Sequence, residues 1–150
     1  MEDRYLFKAK TAQIVGIYNN GLEDGVWVHG SLRCDVGKYT IFQFETERAD
    51  YVEYEIDPST ICQCTGLKDK NGKMIWENDI LHNGNYFVVK WNAPCARFDV
   101  VLNNSHNIPM GKWEPMICDW KTNDFKEYRK AVDYEVIGNI FDNKELEKGE

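Results

Sequence analysis

Five cysteines, a scatter of carboxylates and a group of lysines are the residues of this chain that could do chemistry. Cys62 and Cys64 flank Gln63, and in a strand that spacing turns both sulfurs to one face. Structural zinc calls for four ligands, usually two short-spaced pairs. Cys34, Cys95 and Cys118 stand singly, so no second pair completes a set. The cysteines therefore read as reduced, half-buried core residues, and neither a metal nor a cofactor is expected. Glu77 and Asp79, and separately Asp119, Asp124 and Glu127, could hold a divalent cation or move a proton. Hydrolysis also needs an acid or base poised by its surroundings. The three histidines are scattered, and no Gly-x-Ser-x-Gly, His-Glu-x-x-His, P-loop or Gly-x-Gly-x-x-Gly pattern occurs. Lys68, Lys70 and Lys73, with Trp76 nearby, form the most basic local surface. Small barrels bind nucleic acid with such cations and a stacked aromatic; a solvated hairpin tip partly neutralised by Asp69 is the plainer reading. Trp113, Trp120 and Phe125 could anchor a protein partner or pack beneath a loop.

Composition narrows these options. Hydrophobic residues make up 43% of the 150 residues and aromatics 13%, enough for a packed core rather than a disordered chain. The net charge of -7 opposes a general attraction to nucleic acid, though a local basic patch is compatible with it. The acidic excess is spread along the chain and reads as solubility, with an acidic surface mimicking DNA as an alternative. No apolar run reaches the ~18 residues of a membrane span, so no membrane contact is expected. The opening Met1-Glu2-Asp3-Arg4-Tyr5 lacks a hydrophobic signal stretch, which predicts a cytoplasmic protein with reduced thiols. The odd cysteine count agrees.

The elements that must hold these residues are mostly strands. Residues 5–9 and 11–18 read as the first two, followed by a turn at Asn19-Asn20-Gly21. Residues 26–32 alternate with period two. Residues 39–44 and 51–56 follow, and in the latter Tyr51, Glu53 and Glu55 oppose Val52, Tyr54 and Ile56. Asp57-Pro58-Ser59-Thr60 stops that strand. Residues 61–67 lead to Asn71-Gly72, the favoured dipeptide of a two-residue type I′ turn. Residues 73–76, a turn at Glu77-Asn78-Asp79, residues 80–82, a turn at Asn83-Gly84 and residues 86–91 and 97–102 continue the pattern. A long polar loop is expected over 103–115, a short helix from Asn123 or Asp124, a last strand over 134–141 and a helical turn over 143–148. Turn signals every eight to twelve residues or so predict a mainly β protein with few short helices. The Asp57-Pro58 region is the expected seam between an N-terminal β region, residues 1–57, and a C-terminal β-barrel region, residues 58–150, with one compact unit as the alternative.

Three stretches resemble one family. Gly25-Val26-Trp27-Val28-His29-Gly30 is similar to a Gly-x-Trp-Val-x-Gly strand. Residues 65–80 resemble a Thr-Gly-Leu-x-Asp-x-Asn-Gly-x-x-Ile-aromatic-Glu-Gly-Asp-Ile signature, with Asn78 where Gly is usual. Residues 135–146 resemble a closing Glu-Val-Ile-Gly-Asn-Ile-Tyr-x-Asn-Pro-Glu-Leu, with Lys144 at the proline. These patterns are those of the YopX family of phage and prophage proteins, for which no activity is established. The resemblance implies a β-rich phage protein with a small barrel-like C-terminal part, and it brings over no catalytic residues. Asn tolerates the left-handed conformation next best after Gly, so the turn at Asn78 is expected to survive.

The reading that follows is a non-enzymatic phage or prophage accessory protein. It works by binding another macromolecule, a protein partner, or by self-association into an oligomer. One alternative is a small-barrel nucleic-acid binder using Lys68, Lys70, Lys73 and Trp76. Another is a metal-dependent hydrolase around Glu77 and Asp79.

Overall fold

The computed structural model describes residues 6–12, 22–102, 106–109 and 134–147. The chain is mainly β, as its turn rhythm predicts, and divides into two compact units, residues 1–64 and 65–150. Asp57-Pro58 lies inside the first unit. There the Asp57 carboxylate accepts the Ser59 N–H at 2.9 Å and caps a 3-10 turn, Pro58–Thr60. Proline suits the first turn because its missing N–H is not needed there.

In the first unit β1 (Phe7–Lys10), β2 (Trp27–Asp35), β3 (Lys38–Glu45) and β4 (Asp50–Glu55) lie in antiparallel order β4-β3-β2-β1, and β5 (Cys62–Lys68) pairs with β1 on its far side. Ala9, Val28, Ile41, Val52, Tyr54 and Ile56 form its core. They come from alternate positions, the period of a sheet with one buried face. β2 serves two neighbours: residues 27–30 pair with β1 and residues 31–35 with β3. Gly30 sits at the switch, buried, with φ +156°. A Cβ there would collide with the Phe42 carbonyl oxygen, so only glycine allows the two backbones to approach. The expected strand over 11–18 is represented by Thr11, bridged to Ile56, and Ala12; residues 13–18 and the Asn19-Asn20-Gly21 turn lie outside the described residues.

β5 ends in the second unit, where it neighbours β6 (Met74–Trp76). There β7 (Asp79–His82), β8 (Tyr86–Asn92), β9 (Arg97–Leu102), β10 (His106–Pro109) and β11 (Glu135–Asn139) form an antiparallel sheet of order β10-β9-β8-β7-β11. The core is Ile75, Leu81, Phe87, Val89, Val100 and Val136. The barrel-like form expected here is corrected. Among the described residues β10 and β11 are the two outer strands and do not pair with each other, so the sheet they describe is not closed into a barrel. β10 also falls within the segment read as a loop. Its four residues pair with β9, and Pro109 is tolerated because β10 is an edge strand. The short helix expected from Asn123 or Asp124 lies outside the described residues, and the terminal helical turn is α1 (Lys144–Glu147). Among the described residues no helix is long and apolar enough to cross a membrane.

Candidate functional site

The hairpin between β5 and β6 carries the proposed cations. Lys68, Lys70 and Lys73 are exposed, and Trp76 is half-buried. Lys70 Nζ lies 3.4 Å from Glu135 Oε2, an exposed ion pair that offsets its charge. Asp69, between these lysines, is not part of a solvated tip. It is only 6% exposed. Its Oδ1 accepts the N–H groups of Asn71 and Lys73, each at 2.9 Å, and its Oδ2 accepts that of Val136 on β11 at 2.9 Å. Burial alone would push this carboxyl up. The N–H groups of Val136, Lys73 and Asn71, with the Lys73 charge, outweigh it and hold Asp69 below the ordinary carboxylate value.

That carboxylate also reshapes the turn. The Asp69 N–H donates to the Lys73 carbonyl at 2.8 Å, and the Gly72 N–H to the Asp69 carbonyl at 2.9 Å. Gly72 has φ +81°, whereas Asn71 keeps a negative φ. The loop therefore has three residues, Lys70-Asn71-Gly72, with glycine alone in the left-handed position. The two-residue type I′ turn expected from Asn71-Gly72 does not form, because an Asp at the first position bonds the N–H groups ahead of it.

Glu77 is half-buried and Asp79 buried. Asp79 Oδ2 accepts the Trp76 N–H at 2.8 Å, closing the second turn. Asn78 has φ +67°, in the left-handed region foreseen for it. Its N–H donates to the Val89 carbonyl at 2.8 Å, its carbonyl accepts the Ile140 N–H at 3.1 Å, and its Oδ1 accepts Lys90 Nζ at 3.2 Å. A further carboxylate, fully buried Asp99, had no signal in the sequence. Arg97 Nε donates to its Oδ1 at 2.8 Å and Asn92 Nδ2 to its Oδ2 at 2.7 Å. The bond to Asp99 raises the affinity of Arg97 for its proton.

Cys62 and Cys64 are buried on β5, while Cys34 and Cys95 are exposed; among the described residues none of the four forms a disulfide. Cys62 Sγ donates to the Thr60 carbonyl at 3.3 Å. Among the described residues no three His, Cys, Asp or Glu side chains are grouped to hold a metal ion. Cys118, Asp119, Asp124, Glu127, Trp113, Trp120 and Phe125 lie outside the described residues.

One surface escaped the sequence reading. Phe44 on β3 and Tyr51 on β4 are directly paired across the hairpin, 50% and 64% exposed. Their rings meet edge to face with centroids 5.2 Å apart. Period two placed Tyr51 opposite Val52 and Tyr54, but alternation does not say which face meets water. Beside the pair, Arg48, Asp50, Tyr51, Val52 and Glu53 line a shallow cavity of about 330 Å³.

A family model described as YopX protein matches residues 23–147. The chain belongs to the YopX family. No curated protein matches it. In this YopX chain the three signature stretches each have a folding duty. Gly30 lets β2 and β3 approach, and Asp69 and Asn78 shape and fasten the central turns. In the closing stretch, a Cβ on Gly138 would strike the Asn143 side chain. Asn143 Oδ1 accepts the Asn139 N–H at 3.2 Å, and Asn139 Oδ1 accepts those of Phe141 and Asp142, each at 3.0 Å.

Proposed function

We propose that this YopX protein is a non-enzymatic phage or prophage accessory protein that acts in the host cytoplasm by binding another macromolecule through its β3–β4 hairpin. The carrying observation is the Phe44–Tyr51 pair, two large aromatics left in water on a sheet whose opposite face is packed. Singly exposed apolar residues are ordinary, but paired rings beside a cavity present anchors of the kind interfaces favour. The buried carboxylates support the non-enzymatic part. Asp69 and Asp99 have both oxygens engaged, and a general acid or base needs a reachable proton site. The nucleic-acid alternative keeps Lys68 and Lys73 as exposed cations, while Lys70 is offset by Glu135.

Affinity capture from host lysate tests this reading, with wild type and Phe44→Ser/Tyr51→Ser as matched baits. A protein retained by wild type and lost with the variant is the expected result. Identical captures from both baits would reject the hairpin as the contact surface.

A further inference from the structure

We infer that Asn83 is a site of self-modification: its side-chain amide is lost to attack by the Gly84 backbone nitrogen, which leaves aspartate or isoaspartate in the β7–β8 hairpin. The chain repeats the dipeptide Asn-Gly at Asn20-Gly21, Asn71-Gly72 and Asn83-Gly84. The first lies outside the described residues. Glycine has no Cβ to shield its nitrogen or to stop the backbone from swinging into a ring, so sequence alone does not rank the other two.

Space does not separate them either. A Cβ on Gly72 or Gly84 would meet nothing within 4 Å, and both asparagines are exposed. Hydrogen bonds do separate them. The Gly72 N–H donates to the Asp69 carbonyl at 2.9 Å, the Asn71 N–H to Asp69 Oδ1 at 2.9 Å and Asn71 Nδ2 to Glu135 Oε1 at 3.4 Å. Attacking nitrogen and amide are both held there, and Asp69 is itself tied to Val136 on β11. In the β7–β8 hairpin the Asn83 N–H donates to the Asn85 carbonyl at 3.0 Å. Among the described residues neither the Asn83 side chain nor the Gly84 N–H has a hydrogen-bond partner.

The chemistry needs only water. Hydroxide takes the Gly84 amide proton, the nitrogen bonds to Asn83 Cγ, and the side-chain nitrogen leaves with a proton from water as ammonia. Water then opens the resulting succinimide at either carbonyl. One opening restores the ordinary backbone as aspartate. The other routes the backbone through the side chain as isoaspartate and lengthens it by one carbon. Either adds a negative charge to the net -7. His82 pairs with Tyr86 and Leu81 with Phe87 across this hairpin, and Leu81 and Phe87 are core residues. A longer backbone between fixed pairs strains the register, so the isoaspartate form is the less stable.

Incubation of the full chain at mildly alkaline pH, with peptide mapping by mass spectrometry, tests this; the same incubation in urea is the control. In urea Asn71 and Asn83 should convert alike. In the folded chain Asn83 should convert roughly tenfold faster, because Asn71 and Gly72 must first break their bonds to Asp69. Equal rates in the folded chain, faster conversion of Asn71, or an Asn83 left intact would each overturn the inference. The fraction converted at Asn83 should unfold at lower urea than Asn83→Asp, which carries the same charge on an ordinary backbone. Coincident transitions would overturn the consequence for register.

Discussion

In the first unit a strand turns through a bare backbone at Gly30, whereas in the second the bends are fastened by polar side chains, Asp69, Asn78 and Asn143. The first unit pairs β2 with β3 and β3 with β4 as consecutive hairpins. The second must seat β11 beside β7, more than fifty residues later in the chain. Apolar packing is non-directional and tolerates slippage, whereas a carboxylate accepting three named N–H groups fixes one register. The second unit thus spends its signature residues on assembly, and the first leaves Phe44 and Tyr51 uncommitted.

The largest expected effect tests the fastening. Asp69→Ala strips the acceptor from three N–H groups and should cost about 4 kcal/mol, since each stranded donor costs about 1–3 kcal/mol. Urea unfolding followed by tryptophan fluorescence measures it; a loss under about 1 kcal/mol would erase the contrast. The same side chain sets a pH response. Its folded pKa lies below its ordinary value of 3.8, so its stabilisation is present above that value and drains as pH falls through the lower folded one. Acid titration of stability should show this loss, and Asp69→Asn should flatten that part of the profile.

Gly30→Ala comes next, at about 3 kcal/mol, from the clash with the Phe42 carbonyl plus an unfavourable positive φ. Thermal unfolding by circular dichroism reads it. Gly138→Ala should cost less, about 2 kcal/mol, because the obstructing Asn143 is a side chain that can shift at the expense of its bond to Asn139. The smallest effect belongs to Phe44→Ser/Tyr51→Ser, about 1 kcal/mol, the worth of one exposed ring pair. A cost as large as that of Asp69→Ala would make these aromatics core residues rather than a docking surface.

Local chemistry was legible from the residues themselves. Alternation placed most strands, and Asn78 was assigned its left-handed turn from the tolerance of asparagine for that conformation. Asn71-Gly72 marked a reversal correctly but not its length, because the deciding bond runs from the Asp69 carboxylate. Long-range choices had no local trace. That Asp69 is buried against Val136, that Asp99 gathers Arg97 and Asn92, that the described strands of the second sheet do not close and that Phe44 and Tyr51 face water all depend on which strands lie side by side. Sequence fixes backbone preference and side-chain periodicity residue by residue. Burial and the partners of a polar group are set by neighbours distant along the chain, and only folding brings those neighbours within hydrogen-bond reach.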